Sequence, residues 1–394
     1  MKKLLLLTLS LILLFSCTSV EMGPTSHSIA VLSTTDMHGR AASKDVATGK
    51  EDINSMPRVA TAVESVREIF GDSMLVIDNG DTIQGNLLAQ YAINYKIDEI
   101  NPMVSAMSYI GYDVWTMGNH EFNFLPGQRD TQVLFAEDEG ISCLSGNVTL
   151  LEDGLNVHGD KAKAGEPFYQ PYEIFTFKFD DGLKAKVAVI GLGNAANANW
   201  DLATNYPNLS FSSLENKDGI LANEIDKWVE VVRNKEKADI VIVAVHSGLG
   251  SADSFSLESQ TLMAAQATSG VDLIICGHDH QANITVTKNS VGEDVTIVNG
   301  GGKALTESIL TIDYEKGKVT GVSIDSSLTS LDSVTPDETL SQMMEEWYNE
   351  TYQWASAPIG SFDNGWNNFK AEAEGKSNND MILSQTALMD FIHK

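Results

Sequence analysis

The chain is short of cysteine: it has three, Cys17, Cys143 and Cys276, in 394 residues. They form no thiol cluster of the kind that holds a structural zinc ion. Cys143 and Cys276 lie in apolar surroundings, Ile-Ser-Cys-Leu and Ile-Ile-Cys-Gly. We therefore expect two buried free thiols, with a disulfide between them as the alternative.

Positive charge is also scarce, because the chain has 26 Lys and Arg against 54 Asp and Glu. The formal net charge is therefore −28. The acidic residues are not gathered into one tail, so the whole surface repels polyphosphate chains. We therefore expect no nucleic-acid polymer as a partner. A small anionic substrate remains compatible with the sequence if bound cations reverse the local field.

The apolar run at the N-terminus, residues 4–15, is too short to span a bilayer as a mature helix. It follows Lys2 and Lys3 and ends in Leu14-Phe-Ser-Cys17, which resembles the lipobox of bacterial lipoproteins. We expect a signal peptide over residues 1–17, cleavage before Cys17 and a lipid anchor on that cysteine. Ordinary secretion with slightly later cleavage is the alternative. The lipoprotein reading predicts an extracytoplasmic protein of the bacterial cell envelope, in the periplasm or at the cell surface, that contacts the membrane only through this anchor.

Strand and helix patterns alternate over residues 28–330. Strands are predicted at 28–35, 73–78, 112–117, 141–148, 172–179, 183–192, 240–245, 271–276, 295–298, 308–314 and 319–324. Helices are predicted at 56–70, 101–110, 132–140 and 220–235, and residues 150–171 read as an exposed insertion. Strands that alternate with helices and then close in hairpins indicate an α/β sandwich of mixed sheets.

Five of the predicted strands end in Asp, Asn or His. The strand ends are Asp36-Met-His38, Gly80-Asp81, Gly118-Asn-His120, His246-Ser-Gly248 and Gly277-His-Asp-His280. Open α/β sheets place their sites just outside the carboxyl ends of strands, so we expect these side chains to meet. Mixed nitrogen and oxygen ligands without thiolate suit Zn, Mn, Fe, Co or Ni, and do not suit an all-oxygen calcium site. The sequence thus predicts bound divalent metal ions.

Two such ions are expected, because a pair roughly 3.5–4 Å apart can neutralise a phosphoester and activate water. A carboxylate can bridge them, and Asp81 is the predicted bridge. The other ligands form two sets of three, one of Asp36, His38 and His280 and the other of Asn119, His246 and His278. His120 lies beside a ligand, and we expect it to donate a proton to the leaving oxygen or to stabilise the transition state.

This order of motifs over about residues 29–325 resembles the calcineurin-like metallophosphoesterases. Within them, Asp-Thr-Ile-Gln-Gly at 81–85, Gly-Asn-His-Glu-Phe at 118–122 and Val-His-Ser-Gly-Leu at 245–249 resemble the bacterial 5′-nucleotidase family. The resemblance implies a four-layer α/β/β/α sandwich over residues 28–330 that carries two metals. It also implies an enzyme that removes phosphate from small nucleotides outside the cytoplasm.

Residue 123 bears on the substrate. The 5′-nucleotidases usually have Asp there, where it orients the catalytic histidine, whereas this chain has Asn123. The branch that hydrolyses 2′,3′-cyclic nucleotides and 3′-nucleotides often has Asn, and it tends to have a histidine at the position of His280. We therefore expect a 2′,3′-cyclic-nucleotide 2′-phosphodiesterase/3′-nucleotidase with His120 and Asn123 as catalytic residues. The alternatives are a 5′-nucleotidase or nucleotide-sugar hydrolase, and a catalytically silent lipoprotein that only binds metal or a partner.

The C-terminal part predicts a linker helix over residues 335–356, with acidic residues in its first turn. In the resembling family such a helix leads to a nucleotide-binding domain, and residues 357–394 resemble the beginning of that domain. We expect this second domain to be truncated and the chain to be a monomer.

Overall fold

Strands and helices alternate through the protein, whose computed structural model describes residues 24–211 and 220–357. In chain order the strands are β1 (Thr25–Thr34), β2 (Met74–Asp78), β3 (Val114–Thr116), β4 (Ser142–Leu144), β5 (Thr149–Leu150), β6 (Gly154–Leu155), β7 (Lys161–Ala162), β8 (Tyr172–Lys178), β9 (Lys184–Leu192), β10 (Leu209–Ser210), β11 (Ile240–Val245), β12 (Leu273–Ile275), β13 (Asn283–Lys288), β14 (Asp294–Asn299), β15 (Ala304–Glu315) and β16 (Lys318–Ser330). The α-helices are α1 (Met56–Phe70), α2 (Leu87–Tyr95), α3 (Pro102–Ile110), α4 (Pro126–Asp138), α5 (Ile220–Asn234), α6 (Thr261–Ala267), α7 (Glu338–Met343) and α8 (Glu345–Ser356).

Two six-stranded sheets form the centre of the fold. The first has the order β16-β15-β1-β2-β3-β4 and the second the order β13-β14-β12-β11-β9-β8. Strands β1 to β4 run parallel to one another, and so do β9, β11, β12 and β14. The loops that follow these parallel strands therefore open at one edge of each sheet, where open α/β sheets place their sites.

Alternating apolar residues pack the two sheets against each other and against helices. In β1, Ile29 and Val31 lie in the buried core between the sheets, whereas Ala30 and Leu32 lie in the core beneath α1 to α4. A third core lies between the outer face of the second sheet and helices α5 and α6. Successive residues of a strand point to opposite faces, so the period-two pattern produces this layering. The predicted α/β sandwich and its four α/β/β/α layers are confirmed.

The linker helix is not the single helix predicted over residues 335–356. It consists of α7 and α8, which meet at Met344. Helix α7 begins after Asp337, because the Asp337 carboxylate accepts the backbone N–H of Leu340 at 2.7 Å. Leu340 and Met344 are both buried in the core that contains α1. The two helices therefore pack against the domain through Leu340 and Met344.

Cys143 and Cys276 are both free and buried, so the prediction of two thiols is confirmed and the disulfide alternative is wrong. Within residues 24–211 and 220–357, no helix has the length and apolar character needed to cross a membrane. The predicted signal peptide with Cys17 and the predicted domain fragment from residue 358 onward lie outside the described residues.

Candidate metal centre

The candidate ligands follow strands of both sheets and meet at one end of the sandwich. The loops after β1, β2 and β3 of the first sheet carry Asp36, His38, Asp81 and Asn119. The loops after β11 and β12 of the second sheet carry His246, His278 and His280. Within the first sheet, the N–H of Asp36 donates to the Gly80 carbonyl at 2.9 Å. Between the sheets, the N–H of His278 donates to the Asp36 carboxylate at 3.1 and 3.2 Å. These hydrogen bonds join the two loop sets into one site.

The seven side chains fall into two adjoining groups. Ligand atoms lie within 4.8 Å of one another in each of two clusters, Asp36, His38 and His280, and Asp81, His246 and His278. Asn119 joins the second cluster, since its Oδ1 lies 2.8 Å from His278 Nδ1. His246 Nε2 lies 3.0 Å from Asp81 Oδ2 and 3.9 Å from Asp36 Oδ1, which places the clusters side by side. The structure therefore brings together all seven residues that the sequence singled out.

Five of these residues have a left-handed backbone. Their φ angles lie between 49° and 71°, and they are Asp36, His38, Asp81, His278 and His280. Each L-residue in this region is strained by roughly 1–2 kcal/mol, although Asp and His tolerate it better than most. Such strain concentrates at functional sites, where surrounding contacts hold it in place. In this protein all five strained residues are candidate ligands, and their ligand atoms lie in the two clusters.

Buried Glu121 fixes the loop that carries Asp81. Its Oε2 accepts the N–H groups of Gly118 at 2.8 Å and Asp81 at 3.0 Å, and its Oε1 accepts those of Thr82 at 2.7 Å and Ile83 at 3.2 Å. Burial raises the pKa of Glu121 and the Asp81 carboxylate raises it further, whereas the backbone donors lower it. Gly118 is needed here because a Cβ would lie 2.4 Å from the backbone nitrogen of Asp81.

We expect Glu121→Gln to destabilise the fold. The amide would turn an NH₂ group toward two of the four N–H donors, and each buried donor left without an acceptor costs about 1–3 kcal/mol. Urea unfolding of the metal-free protein should show a free energy of unfolding lower by roughly 2–4 kcal/mol. Glu64→Gln, at an exposed glutamate, is the control and should change nothing. An unaltered unfolding midpoint in Glu121→Gln would contradict this role.

His38 and His246 have the tautomer that a metal ligand requires. Their Nδ1 atoms lie 2.9 Å from the Gln84 carbonyl oxygen and 2.6 Å from the Asn79 carbonyl oxygen, respectively. A carbonyl only accepts, so each Nδ1 carries a hydrogen and each Nε2 lone pair points into the site in the neutral ring. Burial lowers the pKa of His38 despite the nearby Asp81 carboxylate, which favours that neutral form.

His246 Nε2 tests whether the residues fit a cation. This atom is completely buried and forms no hydrogen bond of acceptable geometry among the described residues, although Asp81 Oδ2 is only 3.0 Å away. In the metal-free protein, burial lowers the pKa of His246, but the carboxylates of Asp81 and Asp36 reverse this and raise it to about 10. A proton then lies where two facing lone pairs would otherwise repel. A divalent cation would satisfy both atoms, so the residues fit a metal.

His120 lies at the site without belonging to either cluster. Its Nε2 is 3.9 Å from Asp81 Oδ2, its ring centroid is 5.2 Å from that of His38, and its side chain is 35% exposed. Its Nδ1 lies 2.6 Å from Asn123 Oδ1. The amide oxygen only accepts, so Nδ1 carries a hydrogen and Nε2 is left to face the site. This arrangement suits a group that exchanges a proton at Nε2.

Sequence reasoning missed three residues of the site, Trp200, Asp201 and Glu258. The Trp200 ring stacks on His278 with centroids 5.3 Å apart, and Glu258 Oε2 lies 3.5 Å from His278 Nε2. Asp201 Oδ1 accepts a hydrogen bond from Asn123 Nδ2 at 2.7 Å. Trp200 and Asp201 follow β9, which runs parallel to β11 and so ends at the same edge of the sheet. Only this pairing of β9 with β11 connects Trp200 and Asp201 to the site, and no motif in the sequence indicates it.

Two proteins of known name are similar in sequence to most of this chain. The chain is 27% identical over 371 residues to the trifunctional nucleotide phosphoesterase protein YfkN of Bacillus subtilis. This match covers 88% of the chain and 24% of that protein. The chain is 29% identical over 283 residues to a 2′,3′-cyclic-nucleotide 2′-phosphodiesterase/3′-nucleotidase of Yersinia enterocolitica, covering 70% of the chain and 40% of that protein. The chain thus spans less than half the length of either relative.

The fold and the sequence both match one family. The crystal structure of calcineurin-like phosphoesterase YfkN from Bacillus subtilis superposes with a TM-score of 0.69 at 24% identity, over 84% of this chain and 100% of that one, and so has the same fold. The family model described as calcineurin-like phosphoesterase matches residues 29–282, which include all seven candidate ligands. The chain belongs to the calcineurin-like phosphoesterase family.

Proposed function

We propose that the chain is the catalytic part of a metal-dependent phosphoester hydrolase that acts on nucleotides. The observation that carries this proposal is the completely buried Nε2 of His246, which faces Asp81 Oδ2 at 3.0 Å beside a second cluster of candidate ligands. A protein that stored or merely sensed metal would not need His120 beside the ligands with its Nε2 directed into the site. We place the activity outside the cytoplasm, where a lipid on Cys17 would attach the chain to the membrane. We propose that the chain is a monomer. Cell fractionation tests the proposed location.

The proposed centre would hold two divalent ions, and Asp81 would be a ligand that both of them share. Asp36, His38 and His280 would complete one position, and Asn119, His246 and His278 the other. The donor set of imidazole nitrogens with carboxylate and amide oxygens suits Zn, Mn, Fe, Co or Ni. When bound, two such ions neutralise phosphoryl oxygens and make an attacking water more acidic.

The residues of the chain supply the proton transfer. In its protonated form His120 holds one hydrogen at Nδ1, bonded to Asn123 Oδ1 at 2.6 Å, and a second at Nε2. The oxygen of the attacking water bonds to phosphorus while the bond between phosphorus and the leaving oxygen breaks, and His120 gives its Nε2 hydrogen to that leaving oxygen. A 3′-nucleotide then releases a neutral nucleoside, and a 2′,3′-cyclic nucleotide opens to a 3′-phosphate with a free 2′-hydroxyl. The Nδ1–H bond to Asn123 holds the ring in position throughout this transfer.

Asn123 and His280 favour a 2′,3′-cyclic-nucleotide 2′-phosphodiesterase/3′-nucleotidase within this class. The Yersinia enterocolitica relative has that name, which supports the same choice. A 5′-nucleotidase or nucleotide-sugar hydrolase is the second candidate, and a curated relative named 5′-nucleotidase from Vibrio cholerae, 25% identical over 261 residues, favours it.

A hydrolysis panel on the Mn-loaded chain tests the proposal. We expect release of phosphate from 3′-AMP and ring opening of 2′,3′-cyclic AMP to exceed hydrolysis of 5′-AMP, and bis-p-nitrophenyl phosphate to be hydrolysed as well. Faster hydrolysis of 5′-AMP would assign the chain to the second candidate. Metal binding without hydrolysis of any of the four compounds would instead identify a catalytically silent metal-binding protein.

A further inference from the structure

We infer that Asp201 is a positioning residue for His120 and acts on it through the side-chain amide of Asn123. His120 Nδ1 lies 2.6 Å from Asn123 Oδ1, and Asn123 Nδ2 donates to Asp201 Oδ1 at 2.7 Å. A carboxylate only accepts, so the contact with Asp201 fixes the amide with its oxygen toward His120. The inference rests on the proposed function, because it assigns a role in the proton transfer described above.

The segment that carries Asp201 is tied to the same turn as Asn123. Buried Arg129 donates through Nη1 to the carbonyl of Asn205 at 2.8 Å, and Asn205 Nδ2 donates to the Asn123 carbonyl at 3.1 Å. The Tyr206 hydroxyl lies 3.4 Å from the carbonyl of Asp201. Two separate chain segments are therefore held in register where the His120–Asn123–Asp201 relay forms.

Among the described residues, Asn123 is the one side chain that donates a hydrogen bond to the Asp201 carboxylate, and the charge of Arg129 also acts on it. Its Oδ2 is buried and forms no hydrogen bond with the part of the chain that the structure describes. Burial raises the pKa of Asp201, whereas the hydrogen bond from Asn123 and the charge of His120 lower it. A partly desolvated carboxylate interacts more strongly with a nearby positive ring than a solvated one does.

Two consequences follow for His120. The relay keeps the hydrogen on Nδ1, so Nε2 is the atom that faces the substrate. It also stabilises the positively charged ring that must exist before the Nε2 hydrogen moves to the leaving oxygen. The relay explains how an amide, that of Asn123, can lie next to His120 while the negative charge that stabilises the ring lies on the next side chain, Asp201.

Leaving-group dependence tests the relay. Asp201→Asn should lower kcat for 3′-AMP by roughly 10–100-fold, less than complete loss of a general acid, and leave KM unchanged. Hydrolysis of bis-p-nitrophenyl phosphate should change less than about 2-fold, because p-nitrophenolate leaves without needing a proton from a general acid. Metal content should stay at the parent value. Asp253→Asn, at an exposed aspartate, is the control.

A paired exchange supplies the rescue experiment. Asn123→Asp alone would set two carboxylates about 2.7 Å apart in place of the present hydrogen bond and should also lose 3′-AMP hydrolysis. Combining Asn123→Asp with Asp201→Asn restores a donor facing an acceptor and keeps one negative charge in the relay. We expect the double variant to recover most of the activity lost in Asn123→Asp.

Four results would overturn the inference. Equal losses for both substrates in Asp201→Asn, or a changed metal content, would show that Asp201 only supports its loop. A double variant no more active than Asn123→Asp would show that the two side chains are not coupled. If the parent hydrolyses neither substrate, the proposed function itself fails and the inference falls with it, and this outcome is visible before any variant is made.

Discussion

Asp81→Asn should remove at least one of the two proposed ions and lower phosphoesterase turnover by more than about 100-fold. Loss of groups that only support a ligand already costs about 10–100-fold, and Asp81 is proposed to bind both ions. Its buried Oδ2 faces His246 Nε2 at 3.0 Å. Asparagine keeps the size of the side chain and one oxygen, but it lacks the negative charge that would hold two cations together.

Asparagine is also the substitution least disruptive to this backbone. Asp81 has φ 55°, a left-handed conformation that Asn adopts more readily than Ala does. The Oδ1 of Asp81 accepts the backbone N–H of His120 at 2.8 Å, and an asparagine Oδ1 can accept it too. A fall in metal content would therefore report on charge and coordination rather than on misfolding.

Elemental analysis after removal of weakly held metal measures the outcome. The parent should retain two ions per chain and Asp81→Asn one or none. The control is Asp72→Asn, which lies at the opposite end of β2 and is exposed. Two tightly held ions in Asp81→Asn, or parent-like turnover, would show that Asp81 does not bridge.

The sequence predicts the positions of the ligands because they follow directly from the ends of apolar strands. Strand β11 occupies residues 240–245, as its unbroken apolar pattern predicts, and His246 comes next. The same holds at β2, whose end leads through Gly80 to Asp81. An unbroken apolar run ends where polar residues begin, so the end of a buried parallel strand can be located to within a few residues from the sequence.

The backbone of the ligand loops could not be predicted in this way. Nothing in Asp-Met-His or Gly-His-Asp-His indicates that His38, His278 and His280 adopt φ between 49° and 71°. These conformations result from contacts between loops, such as the N–H of His38 donating to the Asp81 carbonyl at 2.9 Å. Contacts between distant segments override the local backbone preference of these residues. A sequence pattern reports only the local preference.

Asp201 was out of reach for the same reason. It lies 78 residues from Asn123 along the chain, in a segment without regular strand or helix periodicity. The hairpin of β8 and β9 is predicted correctly, but the neighbour of β9 in the sheet is β11, and only that pairing brings residue 201 to the site.

Helices α2 and α6 and the edge strand β13 were also missed.

His120→Ala should keep both ions and lose about 10²–10⁴-fold in turnover of nucleotides, the usual contribution of a positioned acid or base. Metal should remain because His120 belongs to neither ligand cluster. Its contact with Asp81 Oδ1 runs through the backbone N–H, which alanine retains. The loss should be smaller for bis-p-nitrophenyl phosphate, whose leaving group needs no proton.

The comparison between metal content and turnover decides the role of His120. His158→Ala is the control, because that histidine is partly exposed and pairs with Glu137 away from the ligand clusters. Loss of an ion in His120→Ala would show that His120 is a metal ligand. The proposed role of Asn123 and Asp201 in proton transfer from His120 would then be wrong. Full metal content with a large loss for 3′-AMP and a small one for the p-nitrophenyl ester would separate proton donation from metal binding. His120, Asn123 and Asp201 would then act on the leaving oxygen, while the strand-end ligands act on the phosphoryl group.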